Sequence, residues 1–185
     1  MMEETESILH ETHITPEKWE RLKAFFGFQK DDEDILREFR LVALTHIDDV
    51  IEDLYQWFFK FQEVKAYFPD KKTVRHVKKL QREHFLTLTG GAYGIDYVNQ
   101  RLKVGITHKR IGLPPNLYMG AYSFYMQAML PRVLGGFEYD RVKQARAATA
   151  LVKLIALDQA LVLGAYFDQN GGHAENVTAQ STASC

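Results

Sequence analysis

One histidine, His108, closes an amphipathic helical pattern and is followed at once by the breakers Gly112, Pro114 and Pro115, in the stretch ITHKRIGLPPNLYMGAY from Ile106 to Tyr122. A histidine so placed is a helix cap, a surface residue or a ligand, because a neutral imidazole can bond a transition metal through one ring nitrogen. Side-chain catalysis has little to build on. The chain carries no phosphate-cradling glycine loop, no G-x-S-x-G and no HExxH, and its one cysteine, Cys185, is the last residue. What remains are histidines and tyrosines set among 12 Phe, 9 Tyr and 2 Trp, a composition that suits both the surroundings of a planar cofactor and a helical core rich in aromatics.

The elements that must position His108 are helical throughout. Thr15-Pro16-Glu17 reads as an N-cap followed by proline at the first helical position, and Gly27 closes this short helix. Asp31 to Asp34 put negative charge on a second helix start, with Ile35, Leu36, Phe39, Val42 and Leu44 as its apolar face to about His46. Asp48-Asp49 suggest a third helix, in which Val50, Ile51, Leu54, Tyr55, Phe58, Phe59 and Phe61 form an aromatic side before the turn at Phe68-Pro69-Asp70. The segment from Lys72 to Leu88 sets a basic row, Arg75, Lys78, Lys79 and Arg82, against Val74, Val77, Leu80 or Gln81, His84 and Phe85. That row reads as a solvated face. Ile95 to Ile111 follows, with Tyr97, Val98, Leu102, Gly105 and His108 on one side. Two long helices, Asn116 to about Leu134 and Asp140 to about Phe167, are apolar over so much of their surface that they are expected to bury more than one face.

At 185 residues, 46% hydrophobic, the chain suits one compact domain with a sizeable core. Its formal charge of -1 gives no long-range field to attract nucleic acid, so none is expected as a partner. No leader pattern and no uncharged apolar run of about 18 residues is evident. The reading is a soluble cytoplasmic protein with no membrane span. Residues 1–14 are expected to be disordered, residues 15–167 to form the domain, and residues 168–185, small, polar and Gly-rich, to form a flexible tail or linker.

The motif around His108 resembles that of the globin-coupled sensor family, in which the proximal haem ligand precedes Arg-Ile-Gly, a proline and a Tyr-Met-Gly-Ala-aromatic run. The matching residues are His108, Arg110, Ile111, Gly112, Pro114 or Pro115, Tyr118, Met119, Gly120, Ala121 and Tyr122. A looser likeness extends from Thr15 to Phe167. Leu117 departs from it, standing where family members often carry Trp, so pocket shape and signalling are expected to differ.

The resemblance implies an all-α globin fold with an extra N-terminal helix, dimeric through its last two long helices, binding one haem b through His108 as the metal ligand. It assigns Tyr55 as a distal phenol that donates to a bound diatomic gas, dioxygen first and CO or NO otherwise. It places Phe68 as a wedge at the inter-helix corner, Val77, Leu80 and Gln81 over the distal face, and Leu102 and Tyr118 near the proximal side. Gly105 is expected to let a porphyrin edge approach. Some family members bind iron with a second histidine from the helix that here carries His84, but His84 lies about one turn beyond the positions expected over the iron. His76 reads as solvent-directed, and His10, His13, His46 and His173 carry no argument. The function implied is gas sensing without catalysis, signalling through the dimer bundle to a fused or separate output module. Its rivals are a haem dioxygenase or oxygen carrier, and a regulatory globin-like domain that binds no haem.

Overall fold

Local sequence sets the helix ends. The computed structural model describes residues 14–167, which form seven helices and no strand. Helix α1 is Pro16–Phe25, α2 Lys30–Phe58, α3 Gln62–Lys65, α4 Lys71–Leu88, α5 Ile95–Arg110, α6 Pro115–Gly136 and α7 Arg141–Phe167. The Thr15 hydroxyl accepts from Lys18 N at 3.2 Å, and Pro16 opens α1 as its sequence suggested. Asp70 caps α4 by accepting from Thr73 N at 2.7 Å. The expectations for the two termini, and for His10, His13 and His173, lie outside the described residues. Ile14, just before α1, packs against the core.

Three expectations change, the last of them at Gly105. The second and third helices are one continuous helix, α2. Neither glycine nor proline interrupts Thr45 to Asp49, and the apolar register runs on through Phe39, Ala43, Ile47, Val50, Ile51 and Leu54, all buried. Asp48 and Asp49 lie on its exposed side, and Leu44 and Phe61 are each 37% exposed. The basic row on α4 is also more than a solvated face: Lys78 pairs with Glu52, and Arg82 Nε lies 2.9 Å from Asp48 Oδ1, joining α4 to α2.

The core is built where α2, α5, α6 and α7 meet, with α5 and α7 in the most extensive contact. By length and composition α7 is apolar enough to cross a membrane, but 56% of its most apolar window is buried by its neighbours, so it is the central core helix. Lys153 of α7 reaches Asp32 of α2 at 3.0 Å.

Gly105 explains how closely α5 approaches α7. A Cβ there would lie 2.6 Å from the Val162 carbonyl oxygen and 2.7 Å from Ala165 Cβ. The missing side chain therefore serves a helix crossing and not a porphyrin edge. Gly105→Ala is expected to destabilise the fold by about 2 kcal/mol despite alanine's better helix propensity, because backbone cannot yield as a flexible side chain does. Urea denaturation of the variant checks this, and unchanged stability would show that the two helices part freely.

Candidate functional site

His108 stands in the last turn of α5, and the end of that helix is fully specified by sequence. Gly112, with φ of 69°, takes the left-handed position. Leu113 N donates to the His108 carbonyl at 3.0 Å, and Gly112 N donates to the Lys109 carbonyl at 3.0 Å. This pair of bonds is a Schellman closure. The backbone of His108 thus takes part in the cap while its side chain does not. The imidazole is half-buried and lies against Tyr118, ring centroids 5.4 Å apart. Its Nδ1 is buried without a side-chain hydrogen-bond partner, its one polar neighbour being the backbone of Val104, and no hydrogen bond engages its Nε2. Burial lowers its pKa from the ordinary histidine value, opposed in part by the Val104 carbonyl one turn back, so the ring is neutral and able to act as a ligand.

His84 is the reverse case. Its Nδ1 lies 3.1 Å from Arg101 Nη1, and its Nε2 lies 2.8 Å from the Tyr122 hydroxyl. Guanidinium only donates, so Nδ1 accepts and the proton is on Nε2. Burial first, then the Arg101 charge, push His84 down to about 3. Both ring nitrogens are committed, which leaves His84 no lone pair for a metal in this arrangement.

His84 belongs to a buried network that the sequence reading missed. Asp158 of α7, fully buried, accepts from Arg101 Nε and Tyr97 of α5 and from the Tyr122 hydroxyl of α6. Arg101, 1% exposed, also donates to Thr87 Oγ1 of α4 at 3.0 Å and covers the Tyr97 ring at 4.2 Å. Burial and the Asp158 charge push the Tyr97 and Tyr122 phenols well above their usual range, keeping both as donors. The signal was present: Asp158 is a lone acid between Leu151 and Phe167, and Arg101 falls within the stripe Tyr97, Val98, Leu102 and Gly105.

On the other side, Tyr55 of α2 is 1% exposed, and its ring meets Phe58, Phe59 and Phe68 with centroids 5.6, 6.0 and 5.5 Å away. Its hydroxyl makes no hydrogen bond, and burial raises its pKa, so the proton stays on oxygen. Gln81 Nε2 of α4 donates to the Tyr125 hydroxyl. Val77 packs partly buried against the core, whereas Leu80 is 47% exposed. Leu102 is in the core, and Tyr118 is buried with its hydroxyl unpartnered, as is the hydroxyl of Tyr166.

Tyr118, Tyr122 and Tyr125 form a ladder along α6 with successive centroids 5.0 and 5.9 Å apart, joining the His108 side to the Gln81 side. The Tyr67 hydroxyl donates to the Gly112 carbonyl at 2.9 Å, tying the Phe68 corner to the turn that follows His108. Near that corner lies a cavity of about 460 Å³ lined by Phe59, Phe68, Asp70, Lys71, Val74 and Arg75, a volume within the ordinary range for small-ligand sites. His108 and Tyr55 are not among its lining residues.

These residues fit a haem. Among the described residues no group of three or more His, Cys, Asp or Glu could hold a bare metal ion. A metal bound here must bring most of its ligands with it, as a tetrapyrrole does, and His108 offers an imidazole set against Tyr118 with no side-chain hydrogen-bond partner.

Comparison with known proteins agrees with the geometry. The family model described as Protoglobin matches residues 15–171. The heme-based aerotactic transducer HemAT of Halobacterium salinarum is 30% identical over 154 residues, covering 78% of this chain and 32% of the transducer. The chain therefore spans about a third of that relative's length. The globin domain of a Geobacter sulfurreducens globin-coupled sensor superposes with a TM-score of 0.76 at 20% identity, covering 80% of this chain and 97% of that one, which shows a globin fold.

Proposed function

From the premise that the chain belongs to the protoglobin family, we propose that it is a haem-based gas sensor domain, with dioxygen as its first ligand and CO or NO as alternatives. The observation that carries this reading is the contrast between two histidines. His84 has both nitrogens bonded to side chains, and His108 has no side-chain partner at either. Haem b held by His108 would supply an iron able to bind a diatomic gas. The chain's own residues do the rest. His108 holds the group from α5, the ring ladder and Phe68 keep its surroundings apolar, and Tyr55 presents a hydroxyl already protonated and without a partner. Leu80, apolar yet half exposed on the α4 face that carries Val77, suits a surface covered by a planar ligand.

Signalling runs through packing. A displacement of His108 loads α5, and one turn away Gly105 sits directly against Val162 and Ala165 of α7, so α7 must respond. On the outer side of α7, Ala145, Thr149, Val152 and Ala156 recur at the spacing of a coiled-coil seam, continued by Leu163 and Phe167; Val152 and Phe167 are 46% and 71% exposed. Met119 and Leu134 add exposed apolar surface on α6. These faces support a homodimer through α6 and α7, with two packings of the bundle as the signal to a fused or separate output module. The domain itself performs no catalysis in this reading, and a cytoplasmic setting suits it.

The test is the visible spectrum of purified protein, ferric, reduced, and reduced then exposed to air. A haem band with a reversible change in air is expected; protein that stays colourless after haem addition overturns the reading. Tyr55→Phe removes the donor, at about 1.5 kcal/mol or more for a buried bond to a charged acceptor. Dissociation of dioxygen should quicken roughly tenfold in stopped flow, and an unchanged rate would remove Tyr55 from the site.

A further inference from the structure

We propose that Lys71 and Arg75 form the carboxylate-binding end of the tetrapyrrole site, a step that rests on the haem reading above. The cavity near Phe68 is divided by chemistry. Phe59, Phe68 and Val74 supply an apolar wall, while Lys71 and Arg75, one turn apart on α4, supply positive charge at its edge. A tetrapyrrole with two carboxylates on one edge has the complementary division, a flat apolar body and an anionic rim.

The ion pairs along α4 divide its cations into two sets. Lys78, Lys79 and Arg82 pair with Glu52, Glu83 and Asp48. Lys71, Lys72 and Arg75 form no ion pair within 4.0 Å, and of these three only Lys71 and Arg75 line the cavity. Asp70, the one acid in the lining, is committed to capping Thr73 N, and that bond holds its carboxyl below the usual range. The Arg75 charge also acts on Asp70, more weakly, so the acid reduces the positive field at the rim without occupying either cation. The site is joined to both functional sides. The Phe68 ring touches Tyr55, and Tyr67 is bonded to the turn after His108. A tetrapyrrole lying between these sides with its carboxylates at the start of α4 keeps its apolar edge toward the core.

The experiment measures equilibrium binding of haem and of haem dimethyl ester, by absorbance titration and, with the zinc porphyrins, by fluorescence. It compares the wild type with Lys71→Gln/Arg75→Gln and with Lys72→Gln, which changes an exposed α4 cation off the cavity. Two partly exposed charge pairs correspond to roughly tenfold in affinity. The wild type and Lys72→Gln should therefore prefer the free acid by about that factor, and the preference should shrink in added salt. The double variant should bind both forms alike. Equal preference in wild type and double variant, with haem still bound through His108, overturns the carboxylate assignment alone. Failure of the wild type to bind either form overturns it together with the haem reading. The substituted side chains are exposed, so the variants should keep the wild-type fold.

Discussion

Asp158→Ala should lower the unfolding free energy by about 3–5 kcal/mol, the usual cost of removing one partner from a buried ion pair. For a domain of this size the midpoint of thermal unfolding should fall by about 10 °C or more. The reason is what the substitution leaves behind. Arg101 is 1% exposed, and without Asp158 its charge faces aromatic rings and the already committed His84 and Thr87. Tyr97 and Tyr122 each lose their acceptor in the same step. Four helices, α4 to α7, meet at this carboxylate, so the loss should loosen the register of α7 and not merely a local contact. The pair Arg101→Met/Asp158→Leu should be much less damaging, since it removes both charges and leaves apolar volume. Thermal denaturation followed by circular dichroism compares them. A single variant that loses under about 1 kcal/mol would show that water reaches the pair.

His108→Gly should have the opposite profile, with stability nearly intact and the proposed activity gone. The imidazole is half-buried and bonds to no other side chain, so its loss costs little beyond glycine's poorer helix propensity, about 1 kcal/mol. If His108 is the metal ligand, the variant's haem spectrum should lose the signature of nitrogen ligation. Added imidazole should restore that signature by filling the space left beside Tyr118. Rescue is the informative arm, because a merely structural histidine would not be replaced by a free ligand in solution. A variant with the wild-type spectrum would move the ligand elsewhere. His84 could then serve only by giving up its bonds to Arg101 and Tyr122. His84→Ala is therefore the companion measurement, and it should leave nitrogen ligation in place.

Much of this was legible in the chain as written. Thr15-Pro16, Asp70, Gly112 and Pro114-Pro115 mark helix ends because a cap or a breaker acts on backbone groups within a few residues. The motif from His108 to Tyr122 likewise lies in one short stretch, so its family likeness needed no folded structure. Two acids in a row looked like a helix start at Asp48, but acids also suit the exposed side of a helix that continues. Only the buried register across Ala43 and Ile47 distinguishes these cases.

The sequence by itself determined where most helices begin and end, and which histidine belongs to the family motif, since both depend on near neighbours. The tertiary structure decided the roles of Gly105, His84, Arg101 and Asp158. Gly105 proved to be a helix crossing because Val162 and Ala165 come to face it. His84 was set aside as a ligand because Arg101 and Tyr122 claim its two nitrogens. Arg101 and Asp158, 57 residues apart, became one ion pair because α5 and α7 present those faces to each other. A buried charge costs too much to stand alone, so its presence announces a partner. Which partner answers is fixed by helix packing, over distances that sequence spacing does not encode.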